Sequence, residues 1–328
     1  MGIVSPDSVM MQGKTSRNIA IDLLKFLAVL LVMNSHMGIC YPKYAFLSTG
    51  GAIGDALFFF ASGFTLFLGR QMRFDNWYKR RVSRIYPSIL AVAIVTWAIW
   101  GNTDTIGDIL LGKRYWFIGC ILIYYIFLYP IKTYLKEEQM RYVFIIWGAC
   151  LVFMYFLFFN NGKPFYGGGY FRCFAYFLIM LQGAMMGMKQ ETYTFKYWYI
   201  PLLLLAVALW YVLFYIGSSN WLILLSFIPL MAITRYCYLA CCAPFLSKIY
   251  ESRIVGEGIY IIAQLCLEVY LIQKFVFTDA LNHLFPLNIP IVMGLVILAA
   301  YIVNSISKFI AQTFKSEPYE WGKMLVHR

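Results

Sequence analysis

Charge is what this chain has least of. Only 13% of its 328 residues are Asp, Glu, Lys or Arg, with 15 acids and 3 histidines, whereas soluble domains carry about a quarter charged residues. That scarcity excludes a water-facing surface for most of the chain. Proline is sparse too, at 11 residues, and no Ser/Pro-rich linker, low-complexity tract or sequence repeat divides the chain. A string of domains and a solenoid are thereby disfavoured. The eight cysteines, Cys40, Cys120, Cys150, Cys173, Cys237, Cys241, Cys242 and Cys266, lack metal-ligand or disulfide-framework spacing. They read as small hydrophobes within helices, and no metal is expected. The first apolar stretch has no small-residue cleavage site and contains Asp22, so it is expected to be a retained helix rather than a signal peptide.

What the chain does have is apolar length. It is 62% hydrophobic, with mean hydropathy +0.70, and a run of about 20 apolar residues spans a bilayer. Such runs lie near residues 19–38, 50–69, 85–100, 115–131, 142–159, 171–188, 197–216, 221–240, 256–278 and 290–312. The expected fold is therefore all-α: a polytopic membrane bundle of about ten transmembrane helices. Residues 1–18 are expected as an N-terminal cytoplasmic segment, 19–313 as the transmembrane domain and 314–328 as a cytoplasmic tail.

The net charge of +12 suggests nucleic acid until the charges are placed. They sit in alternate loops. Twenty of the 27 Lys and Arg, among them Lys14, Arg70 to Arg84, Lys132, Lys315, Lys323 and Arg328, fall on one side of the ten runs. Lys43, Lys113, Arg114 and Lys163 fall on the other, and Lys25, Arg172 and Lys274 are assigned to the runs themselves, Arg235 and Lys308 being counted with the cytoplasmic ends of theirs. The positive-inside rule then puts both termini in the cytoplasm, with a bilayer as partner and no nucleic acid. The connection holding Asn160, Asn161, Gly162, Lys163, Pro164 and Gly167 to Gly169 reads as a turn-rich outer loop.

Ionisable residues inside membrane spans cost several kcal/mol unless paired or wet, so each is a functional candidate. Asp22 and Lys25, three apart in the first span, are neighbours on a helix surface. His36 follows eleven residues after Lys25, about 16 Å along the axis and within roughly 20° of the same face. Imidazole titrates near neutral pH and suits proton transfer at a hydroxyl; a hydrogen-bonding histidine between helices explains it equally well. The run Arg80, Arg81, Arg84 at the mouth of the third span suits phosphates, although a topology anchor or lipid-headgroup contact explains it too. In the segment Gly50 to Phe64, small residues account for close helix packing but not for Asp55.

These pieces, in this order, resemble acyltransferase family 3. Asp22, Leu24, Lys25 and His36 are similar to its opening motif, Gly54 with Phe58 to Phe64 to its Phe-Phe-x-x-Ser-Gly-Phe helix, and Arg80, Arg81, Arg84, Ile85 and Pro87 to its Arg-Arg-x-x-Arg-Ile-x-Pro segment. Trp116-Phe117-Ile118, Arg172 to Gly187 and Leu267 to Gln273 resemble its later helices. The sequence departs from the family pattern where Lys25 stands for arginine, where the acid is shifted to Asp55, and where Gln273 replaces a histidine. The resemblance implies an O-acyltransferase of a bacterial cytoplasmic membrane that moves an acyl group, acetyl foremost, from acyl-CoA to a hydroxyl of an envelope or secreted carbohydrate. His36, Lys25 and Asp22 are then the expected catalytic set and Arg81, Arg84 and Arg80 the acyl-CoA contacts. Asp55, Trp116, Arg172, Glu268 and Gln273 are candidates for holding the acceptor glycan or lipid-linked saccharide. An oligomer is compatible with the sequence. A transporter or flippase of a lipid-linked sugar, and a sensor or packing protein without catalysis, stay open as alternatives.

Overall fold

A computed structural model describes residues 17–102, 108, 115–159, 171–189, 193–217, 221–314 and 317–326. Lys14, Lys113, Arg114, the 160–169 connection, Lys315, His327 and Arg328 lie outside the described residues. The described residues form helices and no strand: α1 (Ile19–His36), α2 (Gly51–Leu68), α3 (Phe74–Trp100), α4 (Trp116–Tyr134), α5 (Glu137–Met154), α6 (Phe171–Met188), α7 (Tyr199–Ile216), α8 (Leu222–Leu225), α9 (Phe227–Cys241), α10 (Pro244–Glu251), α11 (Val255–Gln264), α12 (Cys266–Val276) and α13 (Asn288–Thr313). Among the described residues nine spans are long and apolar enough to cross a membrane, or ten when α11 and α12, bent by 82°, count as one.

Helix α1 starts where the Asn18 side chain accepts from the Ile21 N–H at 3.2 Å, satisfying a donor that has no partner within the helix. Packing then sorts the helices. In α6, 67% of the span is buried, in α2 61%, in the α8–α9 span 56% and in α1 50%, against 11% in α5 and α7; the first four make the core and the last two face lipid. The α2–α6 seam is built from small residues: a Cβ at Gly63 would overlap the Met180 carbonyl, and one at Gly183 the Phe60 carbonyl. Two apolar helices gain nothing from hydrophobic association in lipid, so close backbone approach and dispersion hold them.

Helix α3 differs from the sequence reading. It begins at Phe74, so Arg80, Arg81 and Arg84 lie on its opening turns rather than in a loop. Arg235 and Lys248 are likewise helical, in α9 and α10. Pro87 lies inside α3; having no N–H, it leaves the Ser83 carbonyl without its i+4 helical bond. Residues 317–326 turn back along α13, with Lys308 Nζ donating to the Leu325 carbonyl at 3.1 Å and Ser305 Oγ to the Met324 carbonyl at 3.2 Å.

Candidate active site

A cavity of about 560 Å³ opens at the basic end of the bundle, between α1, α2, α3, α4, α11, α12 and α13. Lys25, Arg81, Arg84 and Lys308 line it, along with the carboxylate of Glu268. Helical spacing brings them there. Arg81, Arg84 and Ser88 recur on one face of α3, Asn304, Ser307, Lys308 and Ala311 on one face of α13, and Phe58, Ser62 and Thr65 on one face of α2. Four cations around one carboxylate make a strongly positive pocket suited to polyanionic ligands.

Arg81 is held by aromatic rings. Its guanidinium lies 4.7 Å from the Trp77 ring centre and 6.0 Å from that of Tyr125, and Trp77 Nε1 donates to the Tyr125 carbonyl at 3.1 Å. Cation–π stacking of this kind fixes the side chain, while Arg81 Nε has no hydrogen-bond partner. Arg80 is exposed and does not line the cavity; its Nη1 lies 3.9 Å from Met72 Sδ.

Asp22 does not form the ion pair with Lys25 that their spacing suggests. It is buried and paired with Arg17, whose Nη2 donates to Oδ1 at 3.0 Å, and Tyr250 of α10 donates to Oδ2 at 2.7 Å. Asp22 remains within electrostatic reach of Lys25, but its contacts fasten α1 to α10. Lys25 itself is left to the cavity.

His36 ends α1 at the opposite end of the bundle, exposed and within electrostatic reach of Lys274 of α12. Just before it, Asn34 ties α1 to the following loop, donating to the carbonyls of Leu47 at 2.8 Å and Thr49 at 3.0 Å and accepting from Tyr41 at 2.6 Å. A second group gathers toward this end. The Arg172 guanidinium stacks 3.9 Å from the Trp116 ring centre, and Asp55 and Tyr270 are both within its electrostatic reach. Gln273 is fully buried, with neither amide atom hydrogen-bonded. So Asp55, Trp116 and Arg172 come together, whereas Glu268 stands apart from them in the basic cavity. Between the two groups lie aromatic rings: Phe117 packs 6.2 Å from Phe58, 4.5 Å from Phe59 and 5.5 Å from Tyr270. Of these, Phe58, Phe117 and Tyr270 line the cavity.

The sequence reading missed Ser88, Gln264, Asn304, Ser307 and Lys308. Lys308 falls inside the last apolar run, so the rule that singled out Lys25 could have found it, whereas Asn304 and Ser307 do not ionise and carried no such signal. Among the described residues, no three His, Cys, Asp or Glu are placed to hold a metal ion.

A family model described as an acyltransferase domain matches residues 18–305. The chain belongs to acyltransferase family 3. No curated protein and no solved structure matches it. As a member of acyltransferase family 3 it is a multi-pass membrane acyltransferase, working with an acyl donor and an acceptor. The matched span takes in the His36 end of the bundle and most of the cavity's lining, while Ser307, Lys308, Ala311, Leu325 and Val326 lie beyond it.

Proposed function

We propose that the protein transfers an acyl group, acetyl foremost, from acyl-CoA to a hydroxyl of a carbohydrate outside the cytoplasm, in a bacterial cytoplasmic membrane. The observation that carries this reading is the cavity lined by Lys25, Arg81, Arg84 and Lys308. Its end of the bundle holds most of the cations, so the positive-inside rule assigns it to the cytoplasm, where acyl-CoA is made. The donor's phosphates lie on Arg81 and Arg84, whose planar forks suit anionic oxygens, and its acyl-bearing arm runs inward past Lys25.

His36 is about 16 Å from Lys25 along α1, on the side where an extracytoplasmic glycan arrives. The arm therefore passes the Phe58, Phe117 and Tyr270 rings. Neutral His36 takes the proton of the acceptor hydroxyl; the hydroxyl oxygen bonds to the thioester carbonyl carbon, the C–S bond breaks, and the proton leaves with the coenzyme-A thiol. The products are an O-acyl sugar and free coenzyme A. In this reading Asp55, Arg172 and Trp116 hold the sugar, an aromatic face and charged hydrogen-bonding groups being what a polyhydroxylated ring needs.

Equilibrium binding of acetyl-CoA to the purified protein tests the donor half of this reading. Arg84→Ala is expected to weaken binding about tenfold, the loss of one hydrogen-bonded charge contact. Binding unchanged in Arg84→Ala and Arg81→Ala together contradicts the assignment. A flippase of a lipid-linked sugar has no need of a thioester, so the same measurement separates it from a transferase.

A further inference from the structure

The cavity has a second, less basic wall. Helices α11 and α12 meet at Leu265 with their 82° bend, and Gln264 on one side of the break and Cys266, Leu267 and Glu268 on the other all line the cavity. Broken backbone at membrane depth is tolerated where it borders a cavity or packs on protein. Glu268 is 5% exposed and accepts from Ser88 Oγ at 2.7 Å, while the Ser88 and Ser307 hydroxyl oxygens are 3.0 Å apart. A hydroxyl has one proton to give. Ser88 gives its proton to Glu268, so Ser307 donates to Ser88, and the chain has a direction that ends on the carboxylate.

Two amide side chains complete this wall. Asn304 is 9% exposed and its Oδ1 has no hydrogen-bond partner; Nε2 of Gln264 has none either. An unmet buried polar group costs about 1–3 kcal/mol, and each one in a native fold calls for an explanation. Here one is an acceptor and the other a donor, both on residues of one cavity. An amide-bearing ligand supplies both kinds of missing partner, an N–H donor and a carbonyl acceptor.

We propose that Gln264, Asn304 and the Ser307–Ser88–Glu268 chain recognise the uncharged, amide-bearing arm of the donor, the pantetheine portion of a coenzyme-A thioester. This rests on reading the cavity as the donor site. Amide N–H and hydroxyl groups of the arm donate to Asn304 Oδ1 and Glu268, and an amide carbonyl accepts from Gln264 Nε2. The cations hold the phosphates. An acyl phosphate, which has the charge but no amide, meets only half of the site.

The test is competition against labelled acetyl-CoA on the full chain in detergent, with two fragments. Pantetheine carries the arm without phosphates; adenosine 3′,5′-bisphosphate carries phosphates without the arm. Both are expected to compete on wild type. Asn304→Leu and, as a second variant should that one fail to fold, Gln264→Leu are expected to weaken pantetheine by about tenfold, 1.4 kcal/mol, and to leave the bisphosphate unchanged. Arg84→Ala reverses the pattern. Failure of pantetheine to compete on a wild type that binds acetyl-CoA overturns this inference and spares the donor reading. Equal weakening of both fragments by Asn304→Leu and Gln264→Leu overturns it as well. Absence of acetyl-CoA binding to wild type overturns both.

Discussion

Asp22 is held by Arg17 and Tyr250, and this sets its role apart from that of Lys25, one helical turn away. Removing one member of a buried ion pair leaves its partner uncompensated, at a cost of about 3–5 kcal/mol. Arg17 is 45% exposed, so water offsets part of that cost. Asp22→Ala is expected to lower the melting temperature in detergent by several degrees, while Lys25→Ala leaves it near wild type and weakens acetyl-CoA binding instead. Thermal unfolding followed by tryptophan fluorescence, beside the binding assay, reads both. The candidate residues were legible in the sequence because charge in a membrane span is costly. Their partners were not. The spacing of Asp22 and Lys25 made them neighbours, but Tyr250 lies 228 positions away from Asp22, and nothing local announces it.

At the scale of elements, the α2–α6 seam leaves no room for side chains at Gly63 and Gly183. Gly183→Val forces the backbones apart and is expected to cost about 3 kcal/mol or more, within the range for overpacked sites. It should show as a sharp fall in the fraction of protein recovered folded from membranes by size-exclusion chromatography, whereas Gly119→Ala, whose added Cβ would meet nothing within 4 Å, should not. The apolar runs placed the spans well because lipid demands apolar length. They placed the start of α3 eleven residues late, at 85 instead of Phe74, because a helix that extends beyond the bilayer need not be apolar there. The bend at Leu265 had no signal either. Leu265 is neither proline nor glycine, and the apolar run continues through it, so tertiary packing around the cavity sets the angle.

For the whole molecule, the two described chain ends meet at the basic cavity. The Arg17 guanidinium lies 4.4 Å from the ring centre of Tyr260, a lining residue, and Leu325 and Val326 form part of the wall. Deleting residues 317–328 removes that apolar wall, and a loss of about 1 kcal/mol, or fivefold in acetyl-CoA affinity, is expected from the area exposed. The central claim concerns the opposite end. Basic cavity and His36 serve one reaction only if an acyl group travels between them. The most direct measurement follows labelled acetyl from acetyl-CoA into an envelope-glycan extract, using proteoliposomes of wild type or His36→Ala. Label is predicted in the glycan with wild type alone, with His36→Ala still binding acetyl-CoA at wild-type affinity. Transfer by His36→Ala at the wild-type rate would contradict the account.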